Sequence, residues 1–511
     1  MPAHDYTFIG EGANPRHQTL LRRVLSLSVL GFFLVFLLAR GISRVAEGDV
    51  GALDLEAFSS GKKGMPDFGQ YVHSRTLRFD ESSAQEVNRR TIFVGDVHGQ
   101  SYSLQDLLNT TSYDPTHDTL IHVGDLIAKG TRAGSSQVLD YVVEHDTIGV
   151  RGNHDQKVIE WRGWQEWIGA FDGGKEWMEK IEKRWKRKHG EFVGEEDESK
   201  ELRKGVDPEE VEGMEAEDED EVDAAGKKQR KERRKRDKKF WSLVPSSWKI
   251  FSEHYLLARD LTSKHYDYLR SLPLILHIPS EHAFVVHAGM MPYDITKKID
   301  GPRQPLARIP RVHGGAGSVD EIREKQEVGV LERVPQNNDP WALINMRNVL
   351  HDHSIISNTK HGRAWYSIWN QLMPKCAGFN VSTSSEHNVH QDKWLPCEPM
   401  SVIYGHTASR GLDVHRWTLG LDSGCVYGRR LSALVLGGDG KGVSRRRKND
   451  DGDDEEEDRE DDDEWEDDAE DVEENGHGNV KFGDEGHGRI VSVSCHKHRQ
   501  KGSEKGDEDR R

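Results

Sequence analysis

An α/β domain built on parallel strands is predicted by three observations. Short apolar runs at 91–94, 119–123 and 147–150 alternate with stretches whose apolar residues recur at i, i+3 and i+4, as at Val138, Leu139, Val142 and Val143; such alternation implies parallel strands joined by right-handed crossovers. Each of those runs ends in glycine beside a side chain able to bind a cation: Gly95-Asp96-Val97-His98-Gly99, then Gly124-Asp125, then Gly152-Asn153-His154-Asp155. The ending recurs twice more, in His287-Ala288-Gly289 behind the run 283–286 and in Gly405-His406-Thr407 behind 401–404. Ligands of open α/β sheets collect at the carboxyl ends of strands, so the functional site is expected where these five loops converge.

The chain has 511 residues, of which 31% are charged and 34% hydrophobic. That balance favours one compact domain with solvated additions over two or three full domains. The net charge of -18 is local: residues 450–475 hold 20 acids and one arginine, a balance of -19, which leaves the remainder near +1. The acidity is therefore one segment and says little about the surface around the site. Four cysteines, Cys376, Cys397, Cys425 and Cys495, are too few and too scattered for a disulfide-built scaffold or a zinc site of paired CxxC motifs.

From the N-terminus, residues 24–39 are apolar or small without interruption, with Arg22 and Arg23 before and Arg40 and Arg44 after. Extended to 46 by a snorkelling Arg40, the stretch reaches the ~20 residues of a membrane span. A single signal anchor at 24–46 is expected, with 1–23 cytosolic and the rest lumenal, because Arg16, Arg22 and Arg23 outweigh the basic residues beyond it. The sequons Asn109-Thr110-Thr111 and Asn380-Val381-Ser382 fit a lumenal chain. Residues 47–88, rich in Gly, Ser and charge, read as a tether, and the folded region begins near Arg89.

Strands at 91–94, 119–123 and 147–150 then alternate with helices around 103–108, 135–144 and from 156. Residues 173–239, basic at both ends, acidic in the middle and almost without aliphatic periodicity, read as a solvated insertion holding at most a charged helix near 177–185. A nucleic-acid patch at 231–239 is disfavoured by the acidic neighbour and the anchor, so no nucleic-acid duplex is expected as a partner. Order returns at Trp241, with a helix at 266–276 broken by Pro273, a strand at 283–286, a helix at 339–350, an aromatic surface at 365–372 and a strand at 401–404. Strands at 431–436 and 489–494 are expected to pair as a hairpin whose turn is inflated by an acidic insertion at 440–487, since loop-closure cost grows only logarithmically with length. Residues 496–511 read as a tail. In an oxidising lumen Cys376 and Cys397 are candidates for a disulfide.

Asp96, His98, Asp125, Asn153, His287 and His406 make six metal-ligand types at the ends of five strands. The motif order GDxHG, GDxxxxG, GNH[DE], HxG, GH resembles the metallophosphoesterase superfamily in its phosphoprotein-phosphatase branch, over 89–437 plus 488–495. The resemblance implies a four-layer αββα sandwich with a dinuclear metal centre: Asp96 and His98 on one metal, Asn153, His287 and His406 on the other, and Asp125 between them. Nitrogen and oxygen donors suit zinc, manganese or iron. Two such cations ~3.5–4 Å apart acidify a shared water towards a pKa near 7 and balance charge during in-line attack on phosphorus.

His154, beside a ligand but itself spare, is the expected acid or phosphate-oxygen donor. Lys129, Arg151 and Arg347 are expected phosphate contacts, with Arg363 a further candidate. Where Ser/Thr phosphatases carry GDxVDRG, this chain has Ala128 and Lys129; Asp155 replaces the usual Glu, and 421–428 replaces SAPNYC. These departures resemble the bacterial diadenosine-tetraphosphatase type and the ApaH-like phosphatases and, with the anchor, the fungal vacuolar zinc-dependent endopolyphosphatases. The implied activity is hydrolysis of phosphoanhydride bonds, polyphosphate before dinucleoside polyphosphates, by a catalytic domain on the lumenal side of the vacuole membrane. A protein phosphatase is disfavoured by the same departures. Ala128 leaves His154 without an identified partner.

Overall fold

Strands buried on both faces read as continuous apolar runs, and such runs build the centre of this molecule, a computed structural model that describes residues 65–79, 89–189, 224–245, 247–312, 317–380, 394–437, 477–484 and 486–495. The expected anchor at 24–46, the segment before it, the middle of the charged insertion, most of the acidic insertion and the tail lie outside the described residues. Among the described residues no helix is long and apolar enough to cross a membrane.

In chain order, β1 (Val72–Thr76) comes first. The predicted alternation follows as β2 (Arg90–Val94), α1 (Ser101–Thr110), β3 (Asp118–His122), α2 (Arg132–Glu144), β4 (Ile148–Gly149) and α3 (Asn153–Gly169). Helices α4 (Gly174–His189), α5 (Ala224–Ser242), α6 (Glu253–Asp260) and α7 (Ser263–Ser271) lead into β5 (Pro273–Ile278) and β6 (Ala283–Val286). Next come α8 (Val319–Arg333), α9 (Pro340–Asn345), β7 (Asn348–Val349), β8 (Ile355–Ile356), β9 (Arg363–Ala364) and α10 (Trp365–Leu372). The chain closes with β10 (Ser401–Tyr404), β11 (Asp413–His415), β12 (Thr418–Gly420), β13 (Arg430–Leu436), β14 (Gly478–Phe482) and β15 (Gly486–Ser494).

Two six-stranded sheets result, ordered β14-β15-β13-β2-β3-β4 and β1-β5-β6-β10-β12-β11, with a small β8-β7-β9 sheet beside them. The pairs β2/β3 and β3/β4 are parallel, as the crossover helices require. Strand alternation distributes the core. Ile92 and Val94 of β2 join Leu104, Leu107, Val138 and Leu139 in a helix-facing cluster, whereas Phe93 belongs to a cluster drawn from both sheets, with Leu276, Val285, Ile403 and Leu434. On the second sheet Phe284, Val286 and Val402 pack with Leu343, Trp365 and Trp369 of the other helical layer. The layers are therefore helix, sheet, sheet, helix, which fits the expected sandwich.

Several boundaries differ from expectation. The fold begins before residue 89, because β1 pairs in parallel with β5 at Val72↔Pro273. β1 is mostly exposed and carries no apolar alternation, so nothing in VHSRT marks it as a strand. The helix expected over 266–276 ends at Ser271, and Pro273 opens a strand instead, where its missing N–H breaks no helical bond. The helix expected over 339–350 is only α9, followed by β7. The stretch 365–372 is a helix whose Trp365 and Trp369 are buried, not an aromatic surface.

Much of the expected solvated insertion is also ordered. Trp177, Ile181 and Trp185, four residues apart, share one face of α4 and are buried with Trp164, Phe240, Trp241 and Phe251. The periodicity is carried by two tryptophans and a single isoleucine among many charges, and an aliphatic search passes over it. Trp177→Ala is expected to cost about 3–5 kcal/mol. Replacing the exposed Lys183 on the same helix should move stability by no more than about 0.5 kcal/mol. Denaturant midpoints of the two variants compare them directly; equal midpoints would mean that α4 contributes nothing to the core.

β13 and β15 pair antiparallel as expected, with Leu434 opposite Ile490, but the connection holds a further strand. β14 pairs along β15 and buries Val480 and Phe482, so the dispensable segment ends by about residue 476. β14 runs parallel to β13, with Gly478 level with Leu434 across β15, so the connection spans two strand spacings, about 10 Å, and runs back about 7 Å along the strands. Replacing 441–476 by a short Gly-Ser linker is expected to leave the melting temperature within about 2 °C, whereas extending the deletion through β14 should lower it by several degrees. Cys376 and Cys397 are joined, and a second disulfide links Cys425 to Cys495.

Candidate metal centre

Side chains from both sheets meet at one edge of the sandwich. Asp96 and His98 follow β2, Asp125 follows β3, Asn153 opens α3, His287 follows β6 and His406 follows β10. Asp125 lies between two imidazoles: its Oδ2 is 3.6 Å from His98 Nε2 and 3.4 Å from His287 Nε2. Asn153 Oδ1 is 3.1 Å from both His287 Nε2 and His406 Nδ1. Asp96 Oδ2 is 3.9 Å from His98 Nε2, and ligand atoms of Asp96, Asp125 and His287 all lie within 4.8 Å of one another. All six residues are buried.

The backbone is bent to bring them there. His98, Asp125, Ala128, Lys129 and His406 have φ between 48° and 70°, a region that side chains other than glycine rarely occupy. They make up half of the ten non-glycine residues with positive φ among those described, and such strain gathers where geometry serves function. Gly405 has no alternative, since a Cβ there would stand 2.0 Å from Asp96 Oδ1. The His406 N–H donates to both oxygens of Asp96, at 3.2 and 3.1 Å, and ties β10 to β2. His287 Nδ1 is 2.9 Å from the Val123 carbonyl, which leaves Nε2 facing Asp125.

The donor set fits divalent cations. Burial pushes His98 down to about 4 and His406 well below the ordinary histidine value, so both rings are neutral, the form that ligates. Asp96 is pushed well up by burial and then by the charges of Asp422 and Asp125, a repulsion that a cation would relieve. Burial alone would raise Asp125 too, but His287 and His154 hold it well below the usual carboxylate range. His406 Nε2 is buried and has no hydrogen-bond partner among the described residues. Asp96 and His98 could hold one ion, Asn153, His287 and His406 another, and Asp125 could reach both.

Residues 89–272 match the family model described as calcineurin-like phosphoesterase. Over that segment the chain resembles calcineurin-like phosphoesterases. Among curated proteins it is 45% identical over 71 residues to a symmetrical bis(5'-nucleosyl)-tetraphosphatase of Edwardsiella ictaluri, covering 14% of this chain and 25% of that one. To the protein of the same name from Klebsiella pneumoniae it is 46% identical over 71 residues, covering 14% and 24%. The chain thus spans about a quarter of the length of the curated relatives it matches. A solved structure assigned as a diadenosine tetraphosphatase is 22% identical, with 71% of this chain and 94% of that one covered at a TM-score of 0.35. A serine/threonine phosphatase from Saccharomyces cerevisiae is 11% identical, with 75% and 82% covered at a TM-score of 0.30.

Within this domain the expected phosphate contacts separate. Lys129 stands at the centre, its Nζ 3.4 Å from His98 Nε2. Arg347 is at the rim, with one amino group donating to the His406 carbonyl at 3.1 Å and the other to the Ser357 carbonyl at 2.6 Å. Arg363 is committed to Ser367, through both its hydroxyl and its carbonyl. Arg151 is not a phosphate contact: it is fully buried, and its guanidinium donates to the carbonyls of Gln70 and Arg270 and to Gln156 Oε1 at 2.6–2.9 Å. It points away because β1 and the segment before it need a donor there.

Three residues of the site had no assigned role in the sequence. Asp155 accepts the backbone N–H groups of Asp125, Leu126 and Gly152 and so fixes the β3 loop to the start of α3. Its place in GNH[DE] was the available signal. Asp422 is buried near Asp96, Lys129 and Arg347, as their mutual electrostatics record. His254, 100 residues after His154, places Nε2 2.8 Å from His154 Nδ1. Nothing in its neighbourhood in the sequence marks it.

Proposed function

We propose that this chain is a metal-dependent hydrolase of phosphoanhydride bonds, acting on inorganic polyphosphate by internal cleavage. The carrying observation is the meeting of six metal-ligand types around Asp125, with Lys129 against His98 and no guanidinium from Arg151 in the pocket. A pair of divalent cations held there would supply an acidified water and charge balance for in-line attack on phosphorus. The protein's own groups do the rest. Lys129 and the rim Arg347 offer cationic contacts to successive phosphate oxygens. His154, whose backbone N–H donates to Asp125 Oδ1 at 2.9 Å, stands ready to donate to a phosphate or leaving oxygen. Asp155 holds the loops that carry them.

A second reading, hydrolysis of dinucleoside polyphosphates, is favoured by the names of the curated relatives, which are symmetrical bis(5'-nucleosyl)-tetraphosphatases. Two disulfides support a chain that matures in an oxidising compartment, as the proposed lumenal placement at a vacuole membrane requires. The test is a time course with long-chain polyphosphate, a dinucleoside tetraphosphate and a phosphopeptide, each with zinc, manganese and iron. Internal cleavage is expected to yield shorter chains before free phosphate accumulates. Phosphate released singly from full-length chains would overturn the endo mode, turnover of the dinucleotide alone would select the second reading, and turnover of the phosphopeptide alone would sink both.

A further inference from the structure

His154 is gripped on one side only. Its Nδ1 is 2.8 Å from His254 Nε2, the two rings stack at 5.0 Å and 23°, and His98 meets the His154 ring edge-on at 5.3 Å. The second ring nitrogen of His154, Nε2, makes no hydrogen bond to a described residue. Ala128 offers no polar group that could replace His254.

A neutral imidazole has one donor nitrogen and one acceptor nitrogen, so the partner of Nδ1 decides where the proton of His154 sits. If the His254 Nε2–H donates to His154 Nδ1, the proton of His154 resides on Nε2, the nitrogen left free. If instead His154 Nδ1–H donates, Nε2 is a bare lone pair and cannot donate to a phosphate oxygen. Only the first arrangement equips His154 as a donor. Helix α6 fixes the pair: Ser252 caps it, and His254 sits in its first turn with Tyr255, Leu256, Leu257 and Ala258 buried behind it.

We propose that His254 is a positioning residue of the catalytic machinery, donating from Nε2 to His154 Nδ1 so that His154 presents its Nε2–H to the reacting phosphate. The inference rests on the reading of the domain as a phosphohydrolase and deepens it, because it assigns to a residue outside every phosphoesterase motif the work of orienting the donor. Glutamine places an amide N–H close to where histidine has Nε2, so it can keep the bond; leucine cannot.

The test is a double-mutant cycle on the full chain with two substrates, one with a strongly basic leaving group and one releasing p-nitrophenolate. His254→Leu is expected to lower kcat on the first substrate roughly 10- to 100-fold, less than the roughly 10²–10⁴-fold that a positioned proton donor contributes because His154 itself remains, with KM and metal content near wild type. On the second substrate, whose leaving group needs little protonation, the loss should shrink severalfold. His254→Gln should recover activity to within about fivefold of wild type. His154→Ala combined with His254→Leu should be no slower than His154→Ala alone.

A multiplicative loss in the double variant, or a Gln variant as impaired as the Leu variant, would overturn the assignment and leave His254 a packing residue. Should His254→Leu yield no soluble protein, His254→Asn, whose amide falls short of His154, replaces it in the cycle with the same expected outcomes. Failure of the phosphohydrolase reading is separate and visible first: wild type would then turn over neither substrate with any metal.

Discussion

Asp125→Asn is expected to lower kcat on the order of 10³-fold or more and to reduce the bound metal from two ions per chain towards one or none. The carboxylate lies 3.4–3.6 Å from imidazoles of both halves of the centre, so its charge is shared between them. Each cation contributes several kcal/mol of charge stabilisation to the reaction, and each 1.36 kcal/mol is tenfold in rate. The fold should survive, because Asn can still accept the His154 N–H that Asp125 Oδ1 now receives. Lys129→Ala removes a single charge-assisted contact worth ~1.5–3 kcal/mol, which caps its effect at about 10- to 100-fold. Metal analysis and kcat of both variants, with melting temperatures to confirm folding, decide the matter. Near wild-type loading and turnover in Asp125→Asn would remove the dinuclear assignment.

What the sequence made legible follows from what kinds of information a sequence carries. β2 and β3 are buried on both faces, so their apolar runs stand out, and the Gly-flanked ligands behind them are spaced by the turn itself. The six ligand-type residues could be gathered because each announces itself by type and by position after a strand. Direction is a different matter. Arg151 stands two residues from Asn153 and has the right chemistry for phosphate, yet its side chain leaves the opposite way to bind carbonyls of distant segments. His254 has the right chemistry too, but its meeting with His154 depends on how α6 packs against α3. β1 was hidden because an exposed edge strand has no apolar face to display, and α4 because two tryptophans and one isoleucine sit among many charges. Cys425 and Cys495, 70 residues apart, become neighbours only through the pairing of β13 with β15.

The fate of Arg151→Ala separates a structural arginine from a catalytic one. The guanidinium holds three acceptors from three parts of the chain: the Gln70 carbonyl ahead of β1, Gln156 on α3 and the Arg270 carbonyl near the end of α7. Its backbone N–H also donates to the Pro273 carbonyl at 2.9 Å, so the residue sits where both sheets join. Burial pushes its own pKa down to about 10, still far above neutrality, so the group is charged, and its loss leaves the buried Gln156 Oε1 and the part-buried carbonyls of Gln70 and Arg270 without that donor. Hydrogen bonds to charged groups contribute ~1.5–3 kcal/mol each, and a buried acceptor left unsatisfied costs a further ~1–3 kcal/mol. Allowing for water entering the vacated space, a net loss of about 3–5 kcal/mol is expected. The folded fraction of Arg151→Ala should nevertheless turn over within about threefold of wild type at saturating substrate, since the guanidinium does not face the centre. Lys129→Ala is expected to do the reverse, leaving the melting temperature nearly unchanged while kcat/KM falls. Urea midpoints and kcat/KM for the two variants form a crossed pair. A stable Arg151→Ala with turnover reduced a hundredfold would return Arg151 to the list of phosphate contacts and show that its side chain swings into the pocket during the reaction.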